Sequence, residues 1–413
     1  MKIHLITVGD ELLIGQVVNT NATWIGEQLV IRGAEVAKMV SVPDELDVIV
    51  DEIQRGAQEA DLVILTGGLG PTHDDLTREA IAAFLGVDLA LQEEIVSAIR
   101  LRFERRGKNM PERNKVQAMV PAGCMVLENP VGTAPGLWFN GDDFKLCALP
   151  GVPHEMKELM KLHIFPRIVE DDKIRPLAQR TLLTIGVGES DLQERLGDAG
   201  DWLGPEQKLA YLPQIGGVRL RLMAYSDSWE QAHVQLASME ALVRARISKH
   251  IYGTDEEVLE RRIGQILIDQ NQTLGIAESC TGGLISDRVT NISGASAYFK
   301  GAVVAYSNDV KQRILGVPED ILETHGAVSE QVAIAMAIGV KKALGTDIGI
   351  SATGIMGPSG GSAEKPVGTV WLGLADDSMA RAHCVLTQKD RVRNKRYASS
   401  YMLNMLWRAL NEK

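Results

Sequence analysis

Short apolar runs rich in β-branched residues alternate with longer amphipathic stretches along much of this chain. In residues 1–170 the runs are IHLITVG, EVAKMVSV, ADLVILTGG and DFKLCALPG, and stretches such as 19–32 and 44–58 have helical periodicity. Strands that alternate with helices usually form a parallel sheet with helices packed on its faces. The sequence therefore predicts a parallel α/β sandwich for this first segment.

The rest of the chain shows two further patterns. The charged, proline-containing segment EDDKIRP at 170–176 indicates a linker. After it, the strand candidates RTLLTIG, KLAYLP and VRLRLMAYS and the helix candidates 189–196 and 229–248 predict a small α+β unit. Beyond it, QTLGIAES, GAVVAYSN, DIGISATG and GTVWLGLAD alternate with helices and predict a second α/β domain. We predict three domains, at 1–170, 176–252 and 255–413.

Composition and charge exclude several classes of protein. The 413 residues carry a formal net charge of -11, which argues against a general nucleic-acid surface. We interpret the best basic cluster, RVRNKRY at 391–397, as a solvated helix start. The four cysteines and eight histidines form no zinc-binding spacing. The sequence has no signal-peptide pattern and no long apolar run, so we expect a cytoplasmic protein that does not interact with membranes.

Polar residues follow the first-domain strands, where the ligand crevice of an open α/β sheet lies. The glycines of LTGGLGPTHDDLT allow backbone amides to approach phosphate oxygens, and Thr72 or Thr77 can add hydroxyl donors. Asp74 and Asp75 are either ligands of a hard divalent cation or residues that cap a helix. Asp10 and Glu11, after the first strand, favour a polar site.

The stretch GIAESCTGGLISDR places Ser279 and Cys280 between a strand candidate and a helix candidate. Amides at such a turn can stabilise an oxyanion, which suits a nucleophile, but serine and threonine also favour N-cap positions. By residue type Cys280 is the stronger candidate for the nucleophile, because a thiol at a helix N-terminus has a lowered pKa. A free cysteine is also often a small buried apolar residue.

A serine nucleophile needs a base, and AYSNDVKQ supplies Tyr306 and Lys311 after the next strand. A buried lysine can act as the base, and the tyrosine can relay the proton or position the lysine. The alternative is a solvated lysine and a packed tyrosine. A later loop, SATGIMGPSGGSAEKPVG, contains glycines that can cradle a phosphate or simply allow turns.

Four blocks of the first domain, GDELLIGQVVNTN, TGGLGPTHDDLT, NPVGTAPG and LPGVPHEM, resemble the molybdopterin-binding-like domain of the competence/damage-inducible CinA family. The resemblance implies an ADP-ribose pyrophosphatase that depends on a divalent metal and gives AMP and ribose 5-phosphate. Asp74 and Asp75 are then the candidate metal ligands. The implied substrate-binding residues are Gly9, Asp10, Glu11, Asn19, Asn21, Gly67, Gly68, Gly70, Thr72, Thr77, Gly132, Pro135 and Gly136.

The middle unit resembles the KH-type domain of the same family. A KH domain that binds RNA needs a G-x-x-G loop, usually with basic side chains. Here GDAG at 197–200 carries an acid, so we interpret the unit as a spacer or dimerisation module that does not bind RNA.

The blocks AESCTGG, AYSNDVK, GAVS and TGIMGPSGG resemble the C-terminal CinA domain, which is similar to nicotinamide mononucleotide amidohydrolases. The resemblance implies Ser279 as nucleophile, Lys311 as base and Tyr306 as an assisting residue, with no cofactor. Met356 stands where the family usually has a small residue, so an inward side chain would narrow the pocket. The implied substrate-binding residues are Thr281, Gly282, Gly283, Thr353, Gly354, Gly357, Gly360 and Gly361.

Together these features predict a homodimeric enzyme that acts on nicotinamide mononucleotide and ADP-ribose, two fragments of NAD. Two alternatives remain at this stage. The first domain could bind only a pterin in molybdenum cofactor assembly, or the chain could be a non-catalytic adaptor in DNA uptake or repair. The net negative charge disfavours direct DNA contact but does not argue against a protein partner.

Overall fold

The structure is a computed structural model that describes residues 1–411. It divides into two compact units, one formed by Met1–Ala178 with Ala224–Gln235 and the other by Gln179–Met223 with Leu236–Lys413. The predicted division into three domains stays a prediction. Within residues 1–411, no helix is both long and apolar enough to cross a membrane.

A six-stranded mixed sheet forms the centre of the first unit. Its strands are β1 (Lys2–Val8), β2 (Glu35–Val42), β3 (Leu62–Thr66), β6 (Met125–Leu127), β7 (Gly136–Asn140) and β8 (Lys145–Leu149), and β4 (Leu89–Leu91) pairs separately with β5 (Met119–Pro121). The order is β2-β1-β3-β8-β7-β6. The four predicted strands are parallel to one another, whereas β7 and β6, which the sequence pattern did not predict, extend the sheet in antiparallel fashion.

Helices cover both faces of this sheet. They are α1 (Asp10–Leu13), α2 (Thr20–Ile31), α3 (Leu46–Glu59), α4 (Thr77–Leu85), α5 (Glu93–Arg105), α6 (Pro153–Leu159) and α7 (Phe165–Val169). Because side chains alternate along a strand, Ile3 and Leu5 of β1 enter the core beneath α2 and α6, whereas Ile6 enters the core beneath α3. The predicted α/β sandwich is thus confirmed.

A four-stranded sheet follows, in the order β10-β11-β9-β12. The sequence pattern missed its last strand, which has only four residues. The elements are β9 (Leu177–Thr184), α8 (Glu189–Leu196), β10 (Gln207–Gln214), β11 (Gly217–Tyr225), α9 (Trp229–Ile247) and β12 (Ile251–Thr254).

The C-terminal sheet has five strands in the order β14-β13-β15-β16-β17. Its strands are β13 (Leu274–Glu278), β14 (Phe299–Val304), β15 (Ile348–Gly354), β16 (Thr369–Ala375) and β17 (Ala380–Leu386); its helices are α10 (Leu259–Asp269), α11 (Leu284–Thr290), α12 (Asn308–Leu315), α13 (Glu319–His325), α14 (Glu330–Leu344) and α15 (Arg391–Asn411). β13 is parallel to both of its neighbours, β14 and β15, so the carboxyl ends of all three meet at one edge of the sheet. The unpredicted β17 is antiparallel to β16.

Candidate functional sites

Ser279 and Lys311 meet at the carboxyl-end edge of the C-terminal sheet. Ser279 directly follows β13, and Lys311 lies in α12, the helix that follows β14. The Lys311 Nζ atom is 3.1 Å from the Ser279 Oγ atom and donates to the Ala305 carbonyl oxygen at 3.0 Å. Lys311 is only 1% exposed, and burial lowers the pKa of its amine. The lysine is therefore not solvated, and when its amine is neutral it can take the proton of the adjacent hydroxyl.

Cys280, by contrast, belongs to the hydrophobic core. Its side chain packs in the cluster that includes Ile276, Ile285 and Met356. Burial raises the pKa of the Cys280 thiol to about 12, so the thiolate is scarce at neutral pH. The lowered pKa that a helix N-terminus can give a thiol is absent here because desolvation dominates.

The turn after β13 is organised by Glu278, a residue that the sequence pattern did not single out. Its carboxylate is fully buried and accepts hydrogen bonds from the amides of Gly283, Ile285 and Ser286 at 2.9, 3.1 and 2.9 Å. The carboxylate thereby satisfies the first amides of α11, which begins only at Leu284. Ser279 is therefore not an N-cap, and its hydroxyl remains available to Lys311.

Replacing Glu278 by alanine is expected to lower the free energy of unfolding by about 2–4 kcal/mol, because one buried and two partly buried amides lose their acceptor. Urea unfolding measures the change. The exposed Asp287 of the same helix provides the control: Asp287→Ala should change stability by less than about 1 kcal/mol. Equal effects of the two substitutions would show that Glu278 does not hold the turn.

Tyr306 lies at the site but uses its backbone rather than its hydroxyl towards Lys311. Its carbonyl oxygen is 3.5 Å from Lys311 Nζ, whereas its hydroxyl accepts a hydrogen bond from the Arg391 guanidinium at 2.9 Å. The side chain is exposed rather than packed. The structure thus forms no proton relay from Lys311 through the Tyr306 hydroxyl; the tyrosine helps to place the lysine through its carbonyl group.

Arg391 and Lys395 bring positive charge to this edge from the start of α15. Arg391 also donates to the Gly357 carbonyl oxygen at 2.8 Å, and a Cβ atom on Gly282 would lie 3.4 Å from Lys395 Nζ. Both belong to the basic cluster that we interpreted as a solvated helix start. That interpretation located the helix start correctly but missed that Arg391 lines the site and that Lys395 lies near the turn after β13. Spacing within a helix does not reveal which loops of the sheet lie next to it.

A cavity of about 240 Å³ lies over Ser279. Of the predicted substrate-binding residues, Thr353 and Gly354 line it, as does Met356, which is 3% exposed and also packs in the core. Cys280 also lines the cavity although it packs in the core. Four residues outside the prediction contribute as well: Asn308, Ala327, Val328 and Arg391.

Other predicted binding residues lie outside the cavity lining. Thr281 is fully buried, and its hydroxyl has no hydrogen-bond partner within residues 1–411. Gly282 and Gly283 have φ angles of 62° and 96°, so the tight turn itself requires them. Gly361 packs against Val367. The remaining two, Gly357 and Gly360, also do not line the cavity.

A second cavity, of about 400 Å³, lies at the carboxyl ends of β1, β3 and β8 in the first unit. The predicted glycine loop forms one wall through Gly67, Gly68 and Gly70. Gly67 and Gly68 have φ angles of 112° and 64°, which other residues rarely adopt. A Cβ atom on Gly68 would collide with the Thr77 hydroxyl. The course of the backbone alone therefore demands glycine here.

Carboxylates dominate the lining of this second cavity. They belong to Glu11, Asp44, Asp74, Asp75 and Glu155, and no lysine or arginine is among its described lining residues. Burial raises the pKa of the Asp44 carboxyl, and the negative charges of Asp10, Glu11 and Asp74 raise it further. A bound cation would offset this negative charge for an anionic ligand.

Asp74 and Asp75, the predicted metal ligands, have different surroundings. Asp75 accepts hydrogen bonds from the amides of Gly70 and Thr72 at 2.7 and 2.9 Å and from the Thr72 hydroxyl, so it closes the loop. The Asp74 side chain is 61% exposed. Neither residue caps α4, whose N-cap is Leu76.

No three His, Cys, Asp or Glu side chains form a ready-made metal site in the part of the chain that the structure describes. The available donors are nevertheless carboxylate oxygens, which suit Mg²⁺ and similar hard cations. A divalent cation commonly takes one or two carboxylates from the protein and further oxygens from ligand phosphates. The residues fit that mode of binding, with Asp44, Asp74 and Glu11 as holders.

Several residues predicted to bind the substrate of the first domain instead support the loops around the second cavity. Asn19 caps α2 by accepting from the Ala22 amide at 3.0 Å. Asn21 donates to the Gly151 carbonyl oxygen at 2.7 Å, and the buried Thr77 donates to the Gly67 carbonyl oxygen at 2.8 Å. Their role is therefore to position the backbone rather than to face the cavity.

The remaining predicted residues divide between two places. Gly9 lines the cavity, and Asp10 lies beside it, where its amide donates to the Asp44 carboxylate at 3.0 Å. Gly132 and Pro135 line a neighbouring cavity of about 510 Å³, and Gly136 begins β7. Sequence analysis missed Asp44, although it follows β2 at the same sheet edge.

Comparison with known proteins identifies all three segments. Residues 4–170 match the family described as a probable molybdopterin binding domain, residues 179–253 match the KH domain of the damage-inducible protein CinA, and residues 256–410 match the CinA C-terminal domain. Together with the observed sheets, these matches define a multidomain α/β protein that combines these three modules.

Relatives extend over the whole chain. A CinA-like protein of Salinibacter ruber is 45% identical over 412 residues, covering 100% of both chains. A putative competence-damage inducible protein of Moorella thermoacetica is 41% identical and covers 99% of both. A crystal structure of the protein CinA from Thermoplasma acidophilum is 39% identical, covers 40% of this chain and 97% of that one, and has a TM-score of 0.38. The chain belongs to the CinA family of competence/damage-inducible proteins.

Proposed function

We propose that the C-terminal site deamidates nicotinamide mononucleotide to nicotinate mononucleotide and ammonia. The observation that carries the proposal is the buried Lys311 amine 3.1 Å from the Ser279 hydroxyl. A serine paired with a desolvated lysine is suited to acyl transfer from a carboxamide. Arg391 and Lys395 supply positive charge for the phosphate of the substrate.

The proposed reaction has two halves. Neutral Lys311 takes the proton of the Ser279 hydroxyl while Oγ attacks the carboxamide carbon, and the protonated amine then returns the proton to the departing ammonia. Water next attacks the ester, again with Lys311 as base, and releases the carboxylate product and free Ser279. The amides of Gly283, Ile285 and Ser286 are occupied by Glu278, so those of Cys280, Thr281 and Gly282 are the candidates for stabilising the oxyanion.

The pH dependence of deamidation should report the protonation of Lys311. Because the base must be neutral, kcat/KM should fall as pH drops through the pKa of Lys311. The midpoint of this fall should lie below the ordinary lysine value of 10.5. Steady-state rates across the pH range measure this profile. Lys311→Arg keeps the positive charge but cannot lose a proton near neutral pH, so it should be inactive at every pH. An active arginine variant would contradict the role of Lys311 as base.

For the N-terminal site, we propose hydrolysis of ADP-ribose to AMP and ribose 5-phosphate with the help of a divalent cation. Three observations support the proposal: the glycine loop at the sheet edge, the carboxylate-lined cavity and the absence of basic residues from its described lining. Asp44, Asp74 and Glu11 would hold the cation. When bound, it neutralises the diphosphate and activates water. The chain itself positions the diphosphate along the amides of the glycine loop.

Mass spectrometry of the products tests both proposals together. The purified full-length chain is incubated separately with nicotinamide mononucleotide, ADP-ribose and a molybdopterin precursor, with and without Mg²⁺. We expect the acid product from the first and AMP with ribose 5-phosphate from the second. A protein that binds the pterin but turns over neither nucleotide would overturn the proposed function in favour of a role in cofactor assembly.

A further inference from the structure

A cavity in the second unit is separate from the Ser279 site. It has a volume of about 750 Å³, which lies within the range of about 300–1,000 Å³ that is typical of small-molecule sites. Its walls are α15, β17, the loop after β9 and the turn between β10 and β11. None of its lining residues also lines the Ser279 cavity, so neither proposed reaction accounts for it.

One face of α15 supplies a continuous set of recognition groups. Tyr397, Tyr401, Asn404 and Arg408 follow one another at spacings of three or four residues and therefore share a helix face. The two tyrosine rings are 6.3 Å apart and inclined by 35°. A row of side chains on one helix face would be buried if it packed in a core. These four side chains are only partly buried, and they line the cavity.

Arg408 is held in place at the far end of this face. Its Nε atom donates to the Asn404 side-chain oxygen at 3.3 Å, and its Nη2 atom donates to the Gly186 carbonyl oxygen at 3.4 Å. A Cβ atom on Gly186 would collide with the Asn404 amide, so glycine permits the close approach of this loop to the helix. The guanidinium is thus positioned before any ligand arrives.

The two arginines of the cavity are more buried than its two acids. Arg381 and Arg408 are both partly buried within it, whereas Glu189 and Asp191 of α8 are exposed at its rim. Solvent screens the exposed acids more strongly than the partly desolvated arginines. Gln214 adds an amide that can bond the edge of a base.

We propose that this cavity binds a nucleoside monophosphate, with its base stacked on Tyr397 and Tyr401 and its phosphate held by Arg408 and Arg381. Tyr401 and Arg408 are seven residues apart, or about 10 Å along a helix, which matches the extent of a nucleotide from base to phosphate. Aromatic rings bind bases of any sequence by stacking, and arginine suits phosphate through its planar set of donors.

Photoaffinity labelling of the full-length chain with 8-azido-AMP tests the site directly. Peptide mapping should locate label on α15 around Tyr397–Arg408 or on the turn at residues 213–218, and excess AMP should protect these peptides. The mapping does not depend on either enzymatic activity, so the site can fail while the proposed function stands. Label found solely at the glycine loop of the first unit or at the Ser279 cavity would overturn the proposal.

Variants separate base recognition from phosphate recognition. Tyr401→Ala and Arg408→Gln should each weaken AMP binding at this site by about tenfold or more. Because Arg408 also anchors the Gly186 loop, a melting curve checks that the Arg408→Gln variant is still folded. Tyr397→Ala provides a second test of base stacking. Arg396→Gln, on an exposed face of the same helix, removes the same charge and should leave labelling unchanged. An equal loss with Arg396→Gln, or protection by adenosine as strong as by AMP, would contradict the proposed phosphate contact.

Discussion

Replacing Ser279 by alanine is expected to lower the rate of nicotinamide mononucleotide deamidation by on the order of 10⁴-fold or more, because the covalent nucleophile is lost. Lys311→Ala should cause a similar loss, and the double variant should be little worse than either, since the two residues act as one unit. Lys342→Ala, which removes an exposed lysine from α14, is the matched control and should keep full activity. Ammonia release and product mass measure the rates.

Cys280 is the alternative nucleophile to compare with Ser279, because it is the next residue along the chain. Its buried thiol, with the pKa raised to about 12, contributes packing, so Cys280→Ala should change kcat by only a few-fold. Iodoacetamide offers a second measurement, with the exposed Cys384 as an internal reference. Cys384 should be alkylated without loss of deamidation, while Cys280 stays unmodified. Rapid inactivation by alkylation at Cys280, with an active Ser279→Ala variant, would assign the chemistry to the thiol instead.

The sequence predicted that Ser279 and Lys311 would lie at one edge of the sheet because strand ends are easy to recognise. Ser279 and Lys311 follow β-branched runs, and parallel strands bring the residues that follow them to one edge. The choice between Ser279 and Cys280 depends on burial instead. One side chain faces the lysine and its neighbour faces the core, and local sequence does not record which way each residue of a tight turn points.

Contacts between distant segments were the part that the pattern could not predict. Arg391 reaches the Tyr306 hydroxyl across 85 positions of the chain, and β17 and α15 must first pack before that contact exists. Glu278 was equally hidden, because a buried carboxylate is recognisable only once the amides that it accepts from are in place. In the first unit, Asp44 follows β2 in SVPDELDV, a segment without glycines that has the pattern of an ordinary acidic helix start.

Removing divalent cations is expected to abolish ADP-ribose hydrolysis while leaving deamidation nearly unchanged. The second cavity carries five carboxylates and no basic side chain among its described lining residues, so we expect a diphosphate to need a counter-ion there. The Ser279 and Lys311 chemistry, in contrast, needs no cation. Both activities are measured in one preparation after treatment with EDTA, and Mg²⁺ or Mn²⁺ is then added back. Equal loss of both activities would show that the cation supports the whole chain rather than one site.

The two adjacent aspartates then distinguish a cation holder from a residue that closes the loop. Asp74→Asn should lower ADP-ribose hydrolysis and raise the Mg²⁺ concentration needed for half-maximal rate, with no change in melting temperature, because its side chain is exposed. Asp75→Asn should instead lower the melting temperature along with the activity, since the Gly70 and Thr72 amides donate to different oxygens of Asp75 and asparagine keeps only one oxygen. Asp142→Asn, at an exposed position between β7 and β8, should change neither quantity. If Asp74→Asn leaves the Mg²⁺ dependence unaltered, Asp74 does not hold the cation, and Asp44 and Glu11 become the residues to replace.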